Sequence, residues 1–251
     1  MTTAIIPARL SSYRLNKKLL LQETGKPLIA HTIEAADKCE SISSILVATE
    51  DEPIKSVVDS IKTKNKPLTC ILTKNFRNGF DRVKHVCCKL DNVIKGCVVY
   101  WQADEPSVNS THIRDMLNIT RNMSDSRICT LATTNVSDSQ FTDPNNVKVV
   151  VQNPNDLVSN AMYFSRLPIP FGATRSKVDR LIHAGVFVID SSILTNLPSN
   201  SSSYSGCEDI EQLSWLQERV KIKVLRTDSP VGGIDTLADY QNFVKMIQKN
   251  K

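Results

Sequence analysis

No apolar run in the sequence approaches the roughly 18–20 residues that a membrane-spanning helix needs; the longest are short pieces such as Cys97–Trp101. No basic segment leads into a long apolar stretch at the N-terminus, so no secretory signal is expected. No C-x-x-C occurs among the seven cysteines, their number is odd, and Cys87 and Cys88 are neighbours that do not ordinarily bridge. Metal-ligand spacing is therefore missing, and buried, reduced thiols in a reducing compartment are expected. Long basic runs are also lacking. The net charge of +5 is spread over scattered lysines and arginines, which speaks against a nucleic-acid-binding face. No G-x-G-x-x-G follows the first strand and no Walker A motif is present, so a dinucleotide-dependent dehydrogenase and a P-loop NTPase are both disfavoured. No internal repeat is visible.

What remains is an ordinary globular composition, 41% hydrophobic and 23% charged over 251 residues, which excludes disorder as the main theme. The length suits one large α/β domain or two small ones, and folding should remove about three-quarters of the unfolded surface from water. Short β-branched runs at Thr3–Pro7, Ser44–Thr49, Leu68–Leu72, Gly96–Trp101 and Arg127–Thr134 read as buried strands. Amphipathic helical segments lie between them at Leu28–Cys39, Pro53–Ile61, Asp81–Leu90 and Thr111–Met123. This alternation predicts a mostly parallel sheet flanked by helices. After residue 140 the rhythm changes. Val147–Val151, Tyr163–Arg166, His183–Asp190 and Lys221–Leu225 read as strands, and Asp209–Glu218 as a helix. Leu167–Lys177 is rich in Pro and Gly, and Pro198–Gly206 is a polar loop. The last helix should start at Thr236, with Asp239 three positions on as in a capping box. One domain over residues 1–251, with a loop-rich insertion at about 155–206, is the simplest organisation.

Three places carry the chemistry. The first strand runs into I-I-P-A-R-L-S-S-Y-R-L-N-K-K-L-L, and in open α/β sheets ligands sit beyond the carboxyl ends of strands. Arg9, Arg14, Lys17 and Lys18 place four cations within ten residues, enough to neutralise a polyphosphate, although a solvated basic loop has the same composition. The fourth strand runs V-V-Y-W-Q-A-D-E-P. An acidic pair after an apolar strand must be solvated or paired, and Asp104 there is placed to hold Mg2+, which takes hard oxygen ligands. Asp235, in P-V-G-G-I-D-T-L-A-D, either serves a similar purpose or is simply a helix-entry acid favoured by the helix dipole.

Taken in order, these motifs resemble those of the CMP-Kdo synthetases (3-deoxy-manno-octulosonate cytidylyltransferases), within the wider CMP-sugar synthetase group. The likeness runs through nearly the whole chain: I-I-P-A-R…S-Y-R-L…K-K-L, G-K-P-L-I-A-H, V-A-T-E-D-E, N-G-F-D-R, Q-A-D-E-P, V-K-V-V…Y-F-S-R-L-P-I-P, H-A-G-V-F, I-E-Q-L and G-I-D-T-L-A-D. The resemblance implies a Rossmann-like nucleotidyltransferase sheet with a smaller dimerisation and sugar-binding region, a homodimer, and a cytoplasmic location. It implies that Ala8, Arg9, Arg14 and Lys18, with Asn78, Gly79 and Gln102, surround CTP. Asp104 and Asp235 match magnesium carboxylates and, with Lys18, the catalytic centre. Gln102, Arg166, His183 and Glu211 match positions facing the sugar acid. The implied reaction is attack of the sugar's anomeric hydroxyl on the α-phosphorus of CTP, releasing pyrophosphate. A lone His183 in an apolar strand is equally a packed core group, whereas Arg166 suits a carboxylate-bearing sugar.

The sequence departs from the family pattern at several points. Where R-L-P-G-K is usual, Arg14-Leu15-Asn16-Lys17-Lys18 stands here, which leaves open which lysine reaches the phosphates. Asn16 is the residue expected to tolerate an unusual backbone there. Ala103 replaces glycine beside Asp104, at a cost of about 1 kcal/mol or more if φ must be positive. Phe80 replaces a small hydroxyl residue, Phe187 a frequent tyrosine, and Leu237 and Ala238 a proline and glutamate. Two alternatives follow: a non-catalytic CTP- or sugar-binding homologue, or a cytidylyltransferase for a related amino-Kdo or nonulosonate.

Overall fold

The computed structural model describes residues 1–90, 94–123, 125–173, 178–199 and 203–249. Nine strands form one sheet: β1 (Thr2–Ala8), β2 (Ser44–Thr49), β3 (Leu68–Leu72), β4 (Cys97–Trp101), β5 (Ile128–Thr133), β6 (Lys148–Val151), β7 (Val158–Ser165), β8 (Ile182–Asp190) and β9 (Lys223–Thr227), in the order β3-β2-β1-β4-β8-β5-β9-β7-β6. The helices are α1 (Leu28–Asp37), α2 (Glu52–Ser60), α3 (Gly79–Lys89), α4 (Ser110–Asn122), α5 (Asp138–Thr142), α6 (Ser191–Leu194), α7 (Ser203–Glu208), α8 (Gln212–Gln217) and α9 (Leu237–Lys249).

The expectation of a mostly parallel sheet holds for one half only. β3, β2, β1 and β4 run parallel to one another, as does the β5–β9 pair. β8 runs antiparallel between β4 and β5, and β6–β7 and β7–β9 are antiparallel too. The reason lies in the connections. Each of β1–β4 is followed by a helix, which returns the chain for a parallel strand. β6, β7 and β8 are joined by turns and loops, which reverse it.

β1 shows how the sheet is covered on both faces. Ala4, Ile6 and Ala8 pack into one apolar cluster with α1, α4 and α9, while Ile5 packs into another with Phe80 and Trp215. The period-2 alternation of a strand separates them. β4 does the same with Val99 and Trp101 on one side and Val98 and Tyr100 on the other. Because β2 and β4 lie on opposite sides of β1, the carboxyl end of β1 is a topological switch point, where a crevice opens.

Several local expectations are corrected. Tyr163–Arg166 is the end of the longer β7. The helix expected from Asp209 starts at Gln212, because Asp209 has a left-handed φ of 52°. The polar segment 198–206 includes the start of α7 at Ser203, and its residues 200–202, like 174–177, lie outside the described residues. Helix α9 does begin as expected: Thr236 Oγ1 accepts from Asp239 N, and Thr236 N donates to Asp239 Oδ2. None of the seven cysteines is joined in a disulfide. Cys39, Cys87, Cys97 and Cys129 are buried as expected, but Cys88 and Cys207 are exposed. Among the described residues no helix is long and apolar enough to cross a membrane.

Candidate active site

A cleft of about 530 Å³ opens at the carboxyl ends of β1 and β4, and all twelve candidate site residues line it. Its floor at β1 is pinned from below. The buried Arg82 donates from Nη1 to Ala8 O (2.8 Å) and contacts Glu50. Leu10 N donates to Asp51 Oδ2 (2.6 Å), which holds the next step of the chain. Above this floor Arg9 is exposed, with no hydrogen bond or ion pair among the described residues. The loop then turns at Lys17, whose φ of 50° is left-handed, into a single 3₁₀ turn at Lys18–Leu20. Lys17 does not line the cleft; Lys18 does.

Lys18 joins the two aspartates. Its Nζ contacts Asp104 and lies 2.7 Å from Asp235 Oδ1, and Arg14 Nη2 reaches the same Oδ1 at 2.7 Å. Asp104 follows β4, Asp235 follows the Gly232–Gly233 turn, and Ile234 N donates to Asp104 O (2.9 Å), so the backbone itself holds them together. Burial lowers the proton affinity of Lys18, but the Asp104 and Asp235 charges outweigh it and the ammonium titrates above its ordinary value. Burial raises Asp235, but Lys18 and Arg14 bring it below the usual carboxylate range. Among the described residues no group of three or more His, Cys, Asp or Glu converges. The site is instead two hard carboxylates closing on one cation, a donor set that suits a divalent ion completed by phosphate and water.

Glu105, next along the chain, has the opposite fate. It is buried, its Oε1 accepts from Gly185 N (2.6 Å), and its Oε2 has no partner among the described residues. Burial, with the nearby Asp104 and Asp235 charges, pushes its pKa to about 8. The acidic pair D-E thus splits into one paired carboxylate and one buried, protonated carboxyl. Only the first was picked out as a site residue in the sequence.

The adjoining wall comes from α3 and β8. Asn78 caps α3, accepting from Asp81 N (2.8 Å). Gly79 is required there, because a Cβ would sit 2.7 Å from Tyr100 Oη and 3.2 Å from Pro7 Cγ. Gln102 packs against Gly185, where a Cβ would overlap its side chain, and its N donates to Gly185 O (2.9 Å). Glu211 accepts from Tyr100 Oη (2.5 Å) and from Phe80 N (3.2 Å), and burial pushes it to about 7. His183 holds Thr130 Oγ1 through Nε2 (2.7 Å) between Phe164 and Phe187; burial drops its pKa to about 3, so the ring is neutral. Arg166 is not a free fork. Nε donates to Glu208 O (2.7 Å), Nη1 to Pro144 O (3.1 Å) and Nη2 to Asp209 O (3.1 Å). One hydrogen on each terminal nitrogen makes no hydrogen bond among the described residues, and Nη2 also lies 3.7 Å from the exposed Asp209 Oδ2, a loose ion pair.

Residues 3–222 match the family model described as Cytidylyltransferase. The chain belongs to the cytidylyltransferase family. It is 34% identical to the 3-deoxy-manno-octulosonate cytidylyltransferase of Vesicomyosocius okutanii subsp. Calyptogena okutanii (strain HA), over 97% of this chain and 98% of that protein. It is 31% identical to the 8-amino-3,8-dideoxy-manno-octulosonate cytidylyltransferase of Shewanella pealeana (strain ATCC 700345 / ANG-SQ1), over 94% of this chain and 94% of that protein.

 The solved structure of a CMP:2-keto-3-deoxy-manno-octonic acid synthetase complexed with CTP superposes with a TM-score of 0.83 at 27% identity, covering 100% of this chain and 99% of that one.

Within this cytidylyltransferase the departures from the family pattern have local explanations. The left-handed residue of the Arg14–Lys18 loop is Lys17, at the family's glycine position, and not Asn16. Ala103 does not have a positive φ, so the cost anticipated there does not arise; its carbonyl accepts from Thr32 Oγ1 (2.8 Å). Phe80 points away from the loop into the core, with its ring 4.7 Å from Trp215, and Phe187 stacks on Tyr100 at 5.6 Å. A hydroxyl at either position would be buried among aromatic rings.

Proposed function

We propose that this cytidylyltransferase transfers CMP from CTP to the anomeric hydroxyl of a 3-deoxy-manno-octulosonate-type sugar acid, releasing pyrophosphate, with Mg2+ held by Asp104 and Asp235. The observation that carries the reading is the convergence of Asp104 and Asp235 on one cation, beside the exposed Arg9, at the switch point of the sheet. Two anions must meet in the cleft, so charge has to be neutralised before either is oriented. Arg9 and Arg14 grip phosphate oxygens, and Lys18, fully charged, adds a point charge beside them. These cations stabilise the charge that builds on the departing pyrophosphate. Bound Mg2+ would neutralise the phosphate and lower the pKa of the attacking hydroxyl. Asn78, Gly79 and Gln102 confine the nucleotide. The two spare N–H groups of Arg166 receive the sugar carboxylate, and holding both partners in line supplies much of the acceleration.

A homodimer belongs to this reading. Met162, Leu167 and Phe171 are exposed apolar side chains on β7 and the loop after it, a surface that a second copy would cover. Sedimentation should report a dimer, and a monomer at micromolar concentration would refute that part. Seven cysteines without a disulfide suit the reducing cytoplasm.

The test is pyrophosphate release with Mg2+ and CTP, run with Kdo, 8-amino-Kdo, a nonulosonate and no sugar. Release that depends on one of the first two is expected and names the substrate. No release with any sugar, from folded protein that binds CTP, would overturn the reading in favour of a non-catalytic homologue.

A further inference from the structure

Lys148, the first residue of β6, is wholly buried, yet its ammonium meets no carboxylate among the described residues. It donates to three backbone carbonyls: Asp143 O (2.9 Å), Asn146 O (2.7 Å) and Arg166 O. A buried ammonium is costly to desolvate, and a side chain needed only to close a turn would not have to carry charge. An ammonium has three donors and here all three are used. The carbonyls belong to segments that shape one end of the cleft. Asn145, Asn146 and Val147 line it, as does Arg166.

Arg166 grips the same loop from the other side, through Pro144 O. Its backbone N donates to Glu208 Oε2 (2.8 Å), whose Oε1 accepts from Ser165 Oγ (2.7 Å). Two cations therefore hold residues 143–146 between them. The guanidinium keeps one hydrogen on each terminal nitrogen outside these hydrogen bonds, in an orientation that the carbonyls dictate, and only the exposed Asp209 carboxylate, 3.7 Å from Nη2, lies beside them.

We propose that Lys148 is a positioning residue for the sugar acid: it locks the 143–147 loop and the backbone of Arg166, so that Arg166 presents its two spare N–H groups to the substrate carboxylate. This rests on the reading of Arg166 as the carboxylate partner. Lys148 does not touch substrate. It acts through Arg166, and small displacements of an orienting group are felt strongly in turnover.

The test is steady-state kinetics of the full chain with CTP, Mg2+ and the accepted sugar acid, for Lys148→Met, Lys148→Gln, Arg166→Met and the double variants. Lys148→Met should raise KM for the sugar acid about tenfold, with KM for CTP within about twofold. Lys148→Gln, which keeps two donors, should show a smaller rise and decides the matter if the methionine variant does not fold. In the Arg166→Met background either Lys148 change should add little, because the two act as one unit. A parallel rise in both KM values, an unchanged KM for the sugar acid, or independent multiplicative losses in the double variant would overturn the inference. If Arg166→Met alone leaves KM for the sugar acid unchanged, the reading of Arg166 fails and the inference with it. If Arg166→Met raises it and the Lys148 variants do not, the inference alone fails.

Discussion

The two ends of the cleft are built on opposite plans. At the β1 end the cations are exposed or paired with carboxylates: Arg9 is free to solvent, and Arg14 and Lys18 hold Asp235. Such ion pairs can be exchanged for others when a triphosphate arrives. At the β6–β8 end the polar groups are already held in place by protein. Arg166 and Lys148 are bonded to carbonyls, Glu211 to Tyr100 and Phe80, and His183 to Thr130. The first end trades partners and the second is preorganised, which suits a flexible polyphosphate on one side and a compact sugar acid on the other.

The sharpest way to break this contrast is to remove an exchangeable carboxylate. Asp235→Asn should lower turnover about a thousandfold, whereas Arg9→Ala should cost about tenfold; near-normal turnover of the asparagine variant would contradict the proposed metal site. Next comes the wall between the ends. Gly79→Ala places a methyl against Tyr100 Oη and should cost about 1–3 kcal/mol of stability by overpacking, read from denaturant unfolding. An unaltered midpoint would show that the wall yields.

Glu211 tests the preorganised end through pH. Its folded pKa, about 7, lies above the ordinary glutamate value of 4.5, so the folded state binds the extra proton and stability falls as pH rises from about 4.5 to 7. Glu211→Gln removes that slope while keeping an acceptor for Phe80 N. The difference in Tm between variant and parent should therefore be more favourable at pH 8 than at pH 5, and a constant difference would contradict the raised pKa. The smallest effect concerns Lys17. Glycine there should relieve the left-handed strain and stabilise by up to about 1 kcal/mol, net of its greater entropy in the unfolded chain. A loss of stability on Lys17→Gly would show that the strain is not felt.

Much of the fold could be read in advance where the pattern is local. β2 and β3 begin and end where their β-branched runs do, and the capped start of α9 follows from Thr236 and Asp239. α5 was equally legible, since Ser137 and Gln140 form a capping box, but its five residues carry little periodicity. What escaped depends on distant partners. The antiparallel placement of β8 depends on β4 and β5, the burial of Glu105 on Gly185, and the engagement of Arg166 on carbonyls at Pro144, Glu208 and Asp209. Lys148 reads as an ordinary strand-end lysine until β6 and β7 are brought together. For the site, residue types and order indicated which side chains share the cleft, but not which of their hydrogen bonds are already taken.

The division of labour between the two ends is tested most directly by measuring KM for CTP and for the sugar acid in Arg9→Ala. The expected result is a rise for CTP with the sugar acid unchanged. An equal rise in both, or a rise confined to the sugar acid, would contradict the account.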